Sequence, residues 1–276
     1  MSEVLPGRPT GGPLDAIPGV LPPDAVEAEL KAKLGLPRAV RYLIMPAILS
    51  IACFALYLYV SSKNLDSIEQ RTLNAPYLRA RIMEHIKLAA ASTVVVIAIA
   101  VPLGTLITRR AFRFLAPIVL ALGNIGQAVP SIGIIVLFVI GFGQVGFRPA
   151  LYALVTYSAL PILRNTMVGL QQVDAAVIDA GRGMGMTKLG ALFRIELPLA
   201  VPVILAGVRT ALILNVGVAV LAAFIAYGTL GDLITNGLAL NRTPVLVTGA
   251  ALTGVLALTI DWIAGIAEDV LRPRGL

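Results

Sequence analysis

Polar side chains recur at helical spacing within three otherwise apolar stretches of this sequence. Asn124, Gln127 and Ser131 follow one another at i, i+3 and i+7, so a helix would place them on one face beside Pro130. The other two stretches carry Tyr157 and Asn165, and Arg209 and Asn215. Uncompensated polar groups are costly in an apolar medium, so these faces predict either a polar translocation path or hydrogen bonds between helices. Both alternatives remain open.

Reactive residues are otherwise scarce. Cys53 is the single cysteine and His85 the single histidine, which supplies neither a nucleophilic triad nor a metal cluster. Residues 181–188, GRGMGMTK, end in lysine but lack the Walker A spacing of glycine, four residues and Gly-Lys-Ser/Thr. Asp261 could pair with Arg209 or act in proton coupling. We expect no catalytic site, no metal site and no cofactor on this chain.

The composition predicts a membrane protein. Of the 276 residues, 58% are hydrophobic and 13% charged, and the mean hydropathy is +0.89. Soluble proteins carry roughly 25% charged residues, so this surface must face lipid. The net charge of +7 comes from basic residues that flank apolar stretches, with no basic domain or aromatic-basic pattern typical of nucleic-acid binding.

Six membrane-spanning helices are predicted to position the polar residues, and the fold class is all-α. The predicted spans are residues 42–60, 86–108, 114–142, 149–169, 198–225 and 244–268. Pro130 lies near the middle of the long third span, so we expect a kink or two half-helices there. A short amphipathic helix is predicted over 24–34, either against lipid headgroups or in water.

Positive charge orients the spans. Thirteen lysine and arginine residues fall on the side that holds both termini and seven on the other, which places both termini in the cytoplasm. Residues 173–198, between the fourth and fifth spans, are then cytoplasmic. Asp174 can cap a first helix ending near Arg182, Gly183 and Gly185 allow a turn, and Thr187 can cap a second helix toward Ile195.

Residues 173–198 resemble the coupling loop of ABC importer permeases, and we call them the coupling segment. The family pattern is Glu-Ala-Ala, three residues, Gly, nine residues, Ile, any residue, Leu-Pro. The matching positions are Asp179, Ala180, Gly181, Gly185, Ile195, Leu197 and Pro198. Two positions depart from the pattern: Asp179 keeps a carboxylate on a shorter stem, and Gly181 should loosen the helix by roughly 1 kcal/mol relative to alanine.

The resemblance implies a permease subunit of the type I importer fold in the bacterial inner membrane. Two cytoplasmic ATPase subunits would bind the coupling segments and hold the ATP and Mg²⁺. A second permease, identical or paralogous, and an external substrate-binding protein would complete the assembly in membrane lipid. On this interpretation Gly185 permits close backbone approach at the turn, and Asp179 pairs with a basic residue of the ATPase.

Four further stretches resemble the osmoprotectant branch, which imports glycine betaine, choline, carnitine and related amines. They are residues 124–134, 160–174, 195–211 and 228–234. The resemblance implies a core over 85–270, an N-terminal tail over 1–38, an added helix and external loop over 39–84, and a C-terminal tail over 271–276. The alternatives are a permease for another small polar solute, such as an amino acid or phosphate, and an ion-coupled secondary transporter.

Overall fold

The computed structural model describes residues 38–271, and the regular elements of this range are all helical. The predictions for the helix at 24–34 and for both tails lie outside the described residues. The chain divides into two compact units, residues 1–47 and 48–276. Within the first unit, residues 38–47 form the opening turns of the first helix.

The described chain begins with three helices: α1 (Arg38–Ser61), α2 (Ser67–Thr72) and α3 (Ala75–Thr108). The segment predicted as an external loop before residue 86 is therefore largely helical, and α3 begins before the predicted second span. The external location of this segment stays a prediction. Asn74 accepts a hydrogen bond from the Tyr77 backbone amide at 2.9 Å and caps α3. With this cap, α3 begins three turns before the predicted span. Arg79, Arg81 and Glu84 lower the mean hydropathy of these first turns, so hydropathy alone does not indicate that they belong to the helix.

The predicted third span is broken at Pro130, as expected. A 3-10 turn (Arg113–Leu115) leads into α4 (Ala116–Ala128), and α5 (Ser131–Phe142) follows at an angle of 103°. Proline has no backbone N–H and disfavours the helical conformation in the preceding residue, so the helical hydrogen bonds of α4 end at Val129.

The remaining elements run from α6 to α11. They are α6 (Phe147–Gln171), α7 (Ala175–Gly183), α8 (Lys188–Ala191), a π-helical turn (Leu192–Glu196), α9 (Leu197–Ala219), a 3-10 turn (Val220–Ile225), α10 (Gly231–Ala239) and α11 (Thr243–Leu271).

Not all six predicted spans are apolar enough to cross a membrane. Among the described residues, four helical stretches qualify by length and apolarity, and the bent pair α4–α5 could be a fifth. The exception is α6, which has 25 residues, about 37 Å at 1.5 Å per residue. It carries Arg148, Arg164 and Asn165 on a helix whose other side chains are largely buried, so it needs less apolar surface toward lipid.

Helix α6 lies at the centre of the second unit. Leu154 of α6 shares a buried cluster with residues of α3, α5 and α9, and Ile162 shares a second with α3 and α9. Small residues permit the close approach: a Cβ added at Gly207 of α9 would lie 2.7 Å from the Asn165 Cβ. Such contacts between small residues are typical of helix packing in lipid, where dispersion contacts replace the hydrophobic effect. The central helix therefore holds the polar faces of its neighbours in place.

Candidate coupling segment and polar path

Both predicted caps of the coupling segment are present. The Asp174 carboxylate accepts the Ala176 backbone amide at 2.9 Å at the start of α7, and the Thr187 hydroxyl accepts the Gly190 amide at 3.1 Å at the start of α8. The second helix is shorter than predicted, since α8 has four residues and passes into the π turn before Ile195. The segment is thus a helix-turn-helix whose second arm is irregular.

The two glycines on the motif have different roles in the chain. Gly185 adopts a φ of +90°, a conformation that side chains disfavour, and a Cβ there would meet nothing within 4 Å. Positive φ, rather than close approach within the chain, therefore explains Gly185. Gly181 is buried, and a Cβ there would lie 2.3 Å from the Ile195 Cδ1. The departure from alanine at this position thus admits Ile195, besides loosening α7.

Three large apolar side chains of the coupling segment are exposed. Met184, Leu189 and Phe193 are 76%, 67% and 64% exposed, and Asp179 and Ala180 of the same segment are also exposed. Large exposed apolar side chains in a short polar segment are typical of a protein-binding surface.

The end of the motif anchors the coupling segment to a span. Leu197 packs against a buried cluster that includes Leu170 and Leu192, which joins the ends of α6 and α9. Pro198 is the second residue of α9 and directly follows the π turn. The end of the coupling segment is therefore packed against the first turns of α9.

The structure brings together the polar faces of α4 and α6. The Arg164 guanidinium donates to the Asn124 side-chain oxygen at 2.7 Å, and Gln127 Nε2 donates to the Tyr157 carbonyl at 3.1 Å. Asn124 is exposed, whereas Gln127 is partly buried. Ser131 lies across the break at the start of α5, next to Pro130. These contacts join the helices at the level of the break.

The remaining predicted path residues make contacts between or within helices. Arg209 Nη2 donates to the Asp261 carboxylate at 2.8 Å, which is one of the two alternatives considered for Asp261, and Arg209 Nη1 lies 3.6 Å from Glu268. Asn215 is fully buried and donates to the Thr93 hydroxyl at 2.9 Å. Asn165 donates to the carbonyl of Pro161, one turn earlier in α6, at 2.9 Å. Of these residues, Asn215 has the buried contact expected of an interhelical hydrogen bond.

Residues 100–274 match the family model described as binding-protein-dependent transport system inner membrane component. This match covers the polar faces, the coupling segment and α9 to α11. The chain belongs to this family. It is a multi-pass membrane protein and a transport subunit.

Curated relatives agree with this assignment. The choline transport system permease protein OpuBB of Bacillus subtilis is 40% identical over 74% of this chain and 92% of its own length. The osmoprotectant import permease protein OsmW of Salmonella typhimurium is 38% identical over 77% of this chain and 100% of its own. A solved structure of the MetNI methionine ABC transporter in an inward-facing conformation superposes with a TM-score of 0.64, at 21% identity over 73% of this chain and 100% of that chain. The fold is that of the type I importer permeases.

Three polar contacts of the permease between α2–α3 and the 226–242 region were missed by sequence reasoning. Arg81 lies 3.1 Å from Asp232 across a segment where only glycine fits, since a Cβ at Gly228 would lie 1.4 Å from the Arg81 Nη1. The Tyr227 hydroxyl donates to the Glu84 carboxylate. The third contact is the ion pair of Asp66 with Arg242. The two residues of each contact are remote in sequence, so the sequence pattern does not pair them. Gly228, in the 228–234 stretch, is the residue whose type could have indicated a close approach at this place.

The surroundings of these groups shift their pKa values. The backbone amide of Glu69 holds the pKa of Asp66 below its ordinary value, with help from Arg242. Burial raises the pKa of Asp232 and of the Tyr227 phenol, and the neighbouring Glu84 carboxylate raises the Tyr227 pKa further. Asp66 is therefore held as a carboxylate in the folded permease.

Proposed function

We propose that the permease imports an osmoprotectant of the quaternary-amine class, such as glycine betaine, choline or carnitine. The single observation that supports this substrate class is the identity of about 40% with permeases whose names state choline, carnitine and glycine betaine transport. The alignments cover most of the permease, including both polar faces.

The proposed assembly has two cytoplasmic ATPase subunits, a second permease and an external substrate-binding protein. The ATPases would bind ATP and Mg²⁺, and each would hold one coupling segment. The exposure of Met184, Leu189 and Phe193 supports this role, because the coupling segment then offers apolar area for a partner protein in addition to the exposed carboxylate of Asp179. Both termini would lie in the cytoplasm, on the same side as the coupling segment.

The proposed cycle is alternating access. ATP-driven closure of the ATPase pair would move the coupling segments, and α9 would follow because Leu197 packs into the base of the helix bundle. The polar faces of α4 and α6 would then line the path of the solute. For Gln127 and Ser131 this is favoured by their position beside the break in the third predicted span.

Solute uptake tests the substrate class. The permease is purified with its ATPase and binding protein and reconstituted in liposomes with internal ATP, and radiolabelled choline, glycine betaine, carnitine and methionine are supplied outside. We expect uptake of at least one quaternary amine with ATP and none with a non-hydrolysable analogue. Uptake of methionine alone would refute the substrate class, and uptake without nucleotide hydrolysis would refute the ATP-driven mechanism.

A charged variant tests the role of the coupling segment. Gly185→Glu should leave membrane insertion intact and abolish uptake, because the new side chain strains the turn and adds charge to the proposed ATPase contact. Ser62→Glu places the same charge in an exposed position after α1, on the predicted external side, and should retain uptake. Full uptake by Gly185→Glu would contradict the coupling role.

Cysteine labelling tests the orientation. Cys53 is the single cysteine, so Cys53→Ser provides a background for Ser62→Cys and Met184→Cys. In right-side-out vesicles, an impermeant maleimide should label position 62 at once and position 184 only after permeabilisation. The reverse pattern would place the coupling segment outside the cell and refute the proposed assembly.

A further inference from the structure

An ion pair between a buried carboxylate and a partly exposed guanidinium joins the coupling segment to the end of α3. Arg109 Nη1 lies 2.7 Å from the Glu196 Oε2, and the Glu196 side chain is 8% exposed. Arg109 follows the last residue of α3, and its Nε donates to the Thr105 carbonyl at 3.3 Å. The guanidinium is therefore held at the C-terminus of α3, where positive charge favours the helix dipole.

Glu196 occupies the end of the π turn. The Leu197 amide donates to the Leu192 carbonyl, five residues earlier, which adds one residue to this turn relative to an α-helix. An inserted residue rotates the preceding side chains by about 100° relative to those that follow in α9. Such π turns are rare and occur frequently at functional sites.

A continuous set of contacts leads from α7 to α3 through this turn. Buried Gly181 of α7 leaves room for the Ile195 side chain, whose Cδ1 would lie 2.3 Å from a Cβ at that position. Glu196 is the next residue after Ile195, and its carboxylate binds Arg109. These contacts form a continuous path from α7 through the π turn to the end of α3.

We propose that Arg109 and Glu196 are positioning residues that transmit displacement of the coupling segment to α3. This proposal rests on the proposed coupling function. Helix α9 continues covalently from the coupling segment and moves with it, whereas α3 is remote in sequence and needs a side-chain link. A charge-assisted hydrogen bond keeps its two atoms together under both compression and tension.

Movement of α3 reaches the far side of the bundle. Helix α3 has 34 residues, about 51 Å at 1.5 Å per residue, and near its opposite end Arg81 pairs with Asp232. The pair at Arg109 thus connects the predicted cytoplasmic segment with the predicted external contacts of the 226–242 region.

The test measures how many ATP molecules are hydrolysed for each solute imported. The complete importer is reconstituted with the wild-type permease, Arg109→Gln, Glu196→Gln and the reversed pair Arg109→Glu/Glu196→Arg. Arg110→Gln is the matched control, because Arg110 is the exposed neighbour of Arg109. ATPase affinity for the permease and the melting temperature are measured in parallel.

We expect each single variant to keep ATPase affinity within about twofold and to raise the ATP-to-solute ratio by roughly fivefold or more. The reversed pair should restore the ratio to within about twofold of wild type, and Arg110→Gln should leave it unchanged. Glu196→Gln retains the size and hydrogen-bonding capacity of the side chain, so it separates loss of charge from loss of folding.

Two results would overturn the proposal. A wild-type ratio in both single variants would show that α3 moves without the pair. Lower melting temperatures rescued by the reversed pair, with the ratio unchanged throughout, would assign the pair a purely structural role. Failure of the proposed function is distinguishable, since the wild-type importer would then show no ATP-dependent uptake.

Discussion

Replacing Gly185 by alanine tests whether the turn of the coupling segment depends on its positive φ. A Cβ at this position meets nothing within 4 Å, so the cost of the substitution is conformational. A side chain in the left-handed region, at the φ of +90° that Gly185 adopts, costs about 1–2 kcal/mol. Gly183→Ala is the matched control, because its Cβ also meets nothing within 4 Å and alanine favours the helical conformation there.

The conformational cost shifts the equilibrium between the native turn, with φ of +90° at position 185, and a relaxed turn in which this residue takes a more favourable φ. At 1–2 kcal/mol, the ratio of native to relaxed turns changes by a factor of about 5–30. When relaxed turns outnumber native ones, apparent affinity for the ATPase falls in proportion to the competent fraction. We expect Gly185→Ala to weaken binding by up to roughly 5- to 30-fold, with Gly183→Ala within twofold of wild type.

Binding is measured by biolayer interferometry between the permease in nanodiscs and its purified ATPase subunit. The melting temperatures of both variants should match wild type, since the turn lies outside the packed helices. Equal ATPase affinity for Gly185→Ala and Gly183→Ala would refute the argument, because it would show that the turn accepts a side chain without relaxing.

Gly231→Ala should lower the free energy of unfolding by about 1–3 kcal/mol, because the added Cβ would lie 1.9 Å from a backbone carbonyl oxygen. Gly254→Ala is the control, since a Cβ there meets nothing within 4 Å, and this variant should melt at or above the wild-type temperature. The reverse order of melting temperatures would contradict the prediction. Asp66→Asn should flatten the acid side of the stability–pH curve while keeping the helix cap. The pKa of Asp66 in the folded protein lies below its ordinary value, so its carboxylate stabilises the fold above the ordinary pKa, and this contribution is lost as pH falls through the folded pKa. If the melting temperatures of Asp66→Asn and wild type fall equally steeply between pH 6 and 3, the prediction is refuted. Arg209→Met should lower the free energy of unfolding by about 1–2 kcal/mol, because it removes the Arg209 partner of Asp261. Adding Asp261→Leu to this variant should recover most of the loss. If thermal melts of the single and double variants show no recovery, the two side chains are not directly coupled.

Local chemistry explains what the sequence could predict. Asp174 and Thr187 cap helices through bonds to amides two or three residues away, so side-chain type and position were sufficient. Pro130 breaks its helix through its own ring, and the break is where the sequence placed it. The cost of a lone charge among apolar residues predicted that Arg209 has a partner, and Asp261 was one candidate, with proton coupling as its alternative role.

Contacts between distant residues could not be predicted in the same way. The loosening expected at Gly181 came from helix propensity alone, whereas the position also accommodates Ile195 in the folded chain. The pairing of Arg109 with Glu196 depends on the extra residue of the π turn, which has no sequence signature that we could use. The predicted start of the second span was also later in the sequence than the start of α3, because a hydropathy average does not include the side-chain hydrogen bond by which Asn74 caps the helix.

The bent pair α4–α5 has a consequence for biogenesis. Its halves have 13 and 12 residues, about 20 Å and 18 Å, and neither can cross roughly 30 Å of hydrocarbon alone. The unpaired backbone groups at the bend need protein neighbours, and both halves pack on α6, which the ribosome makes later. We therefore expect the nascent chain to keep this region beside the translocon until α6 emerges.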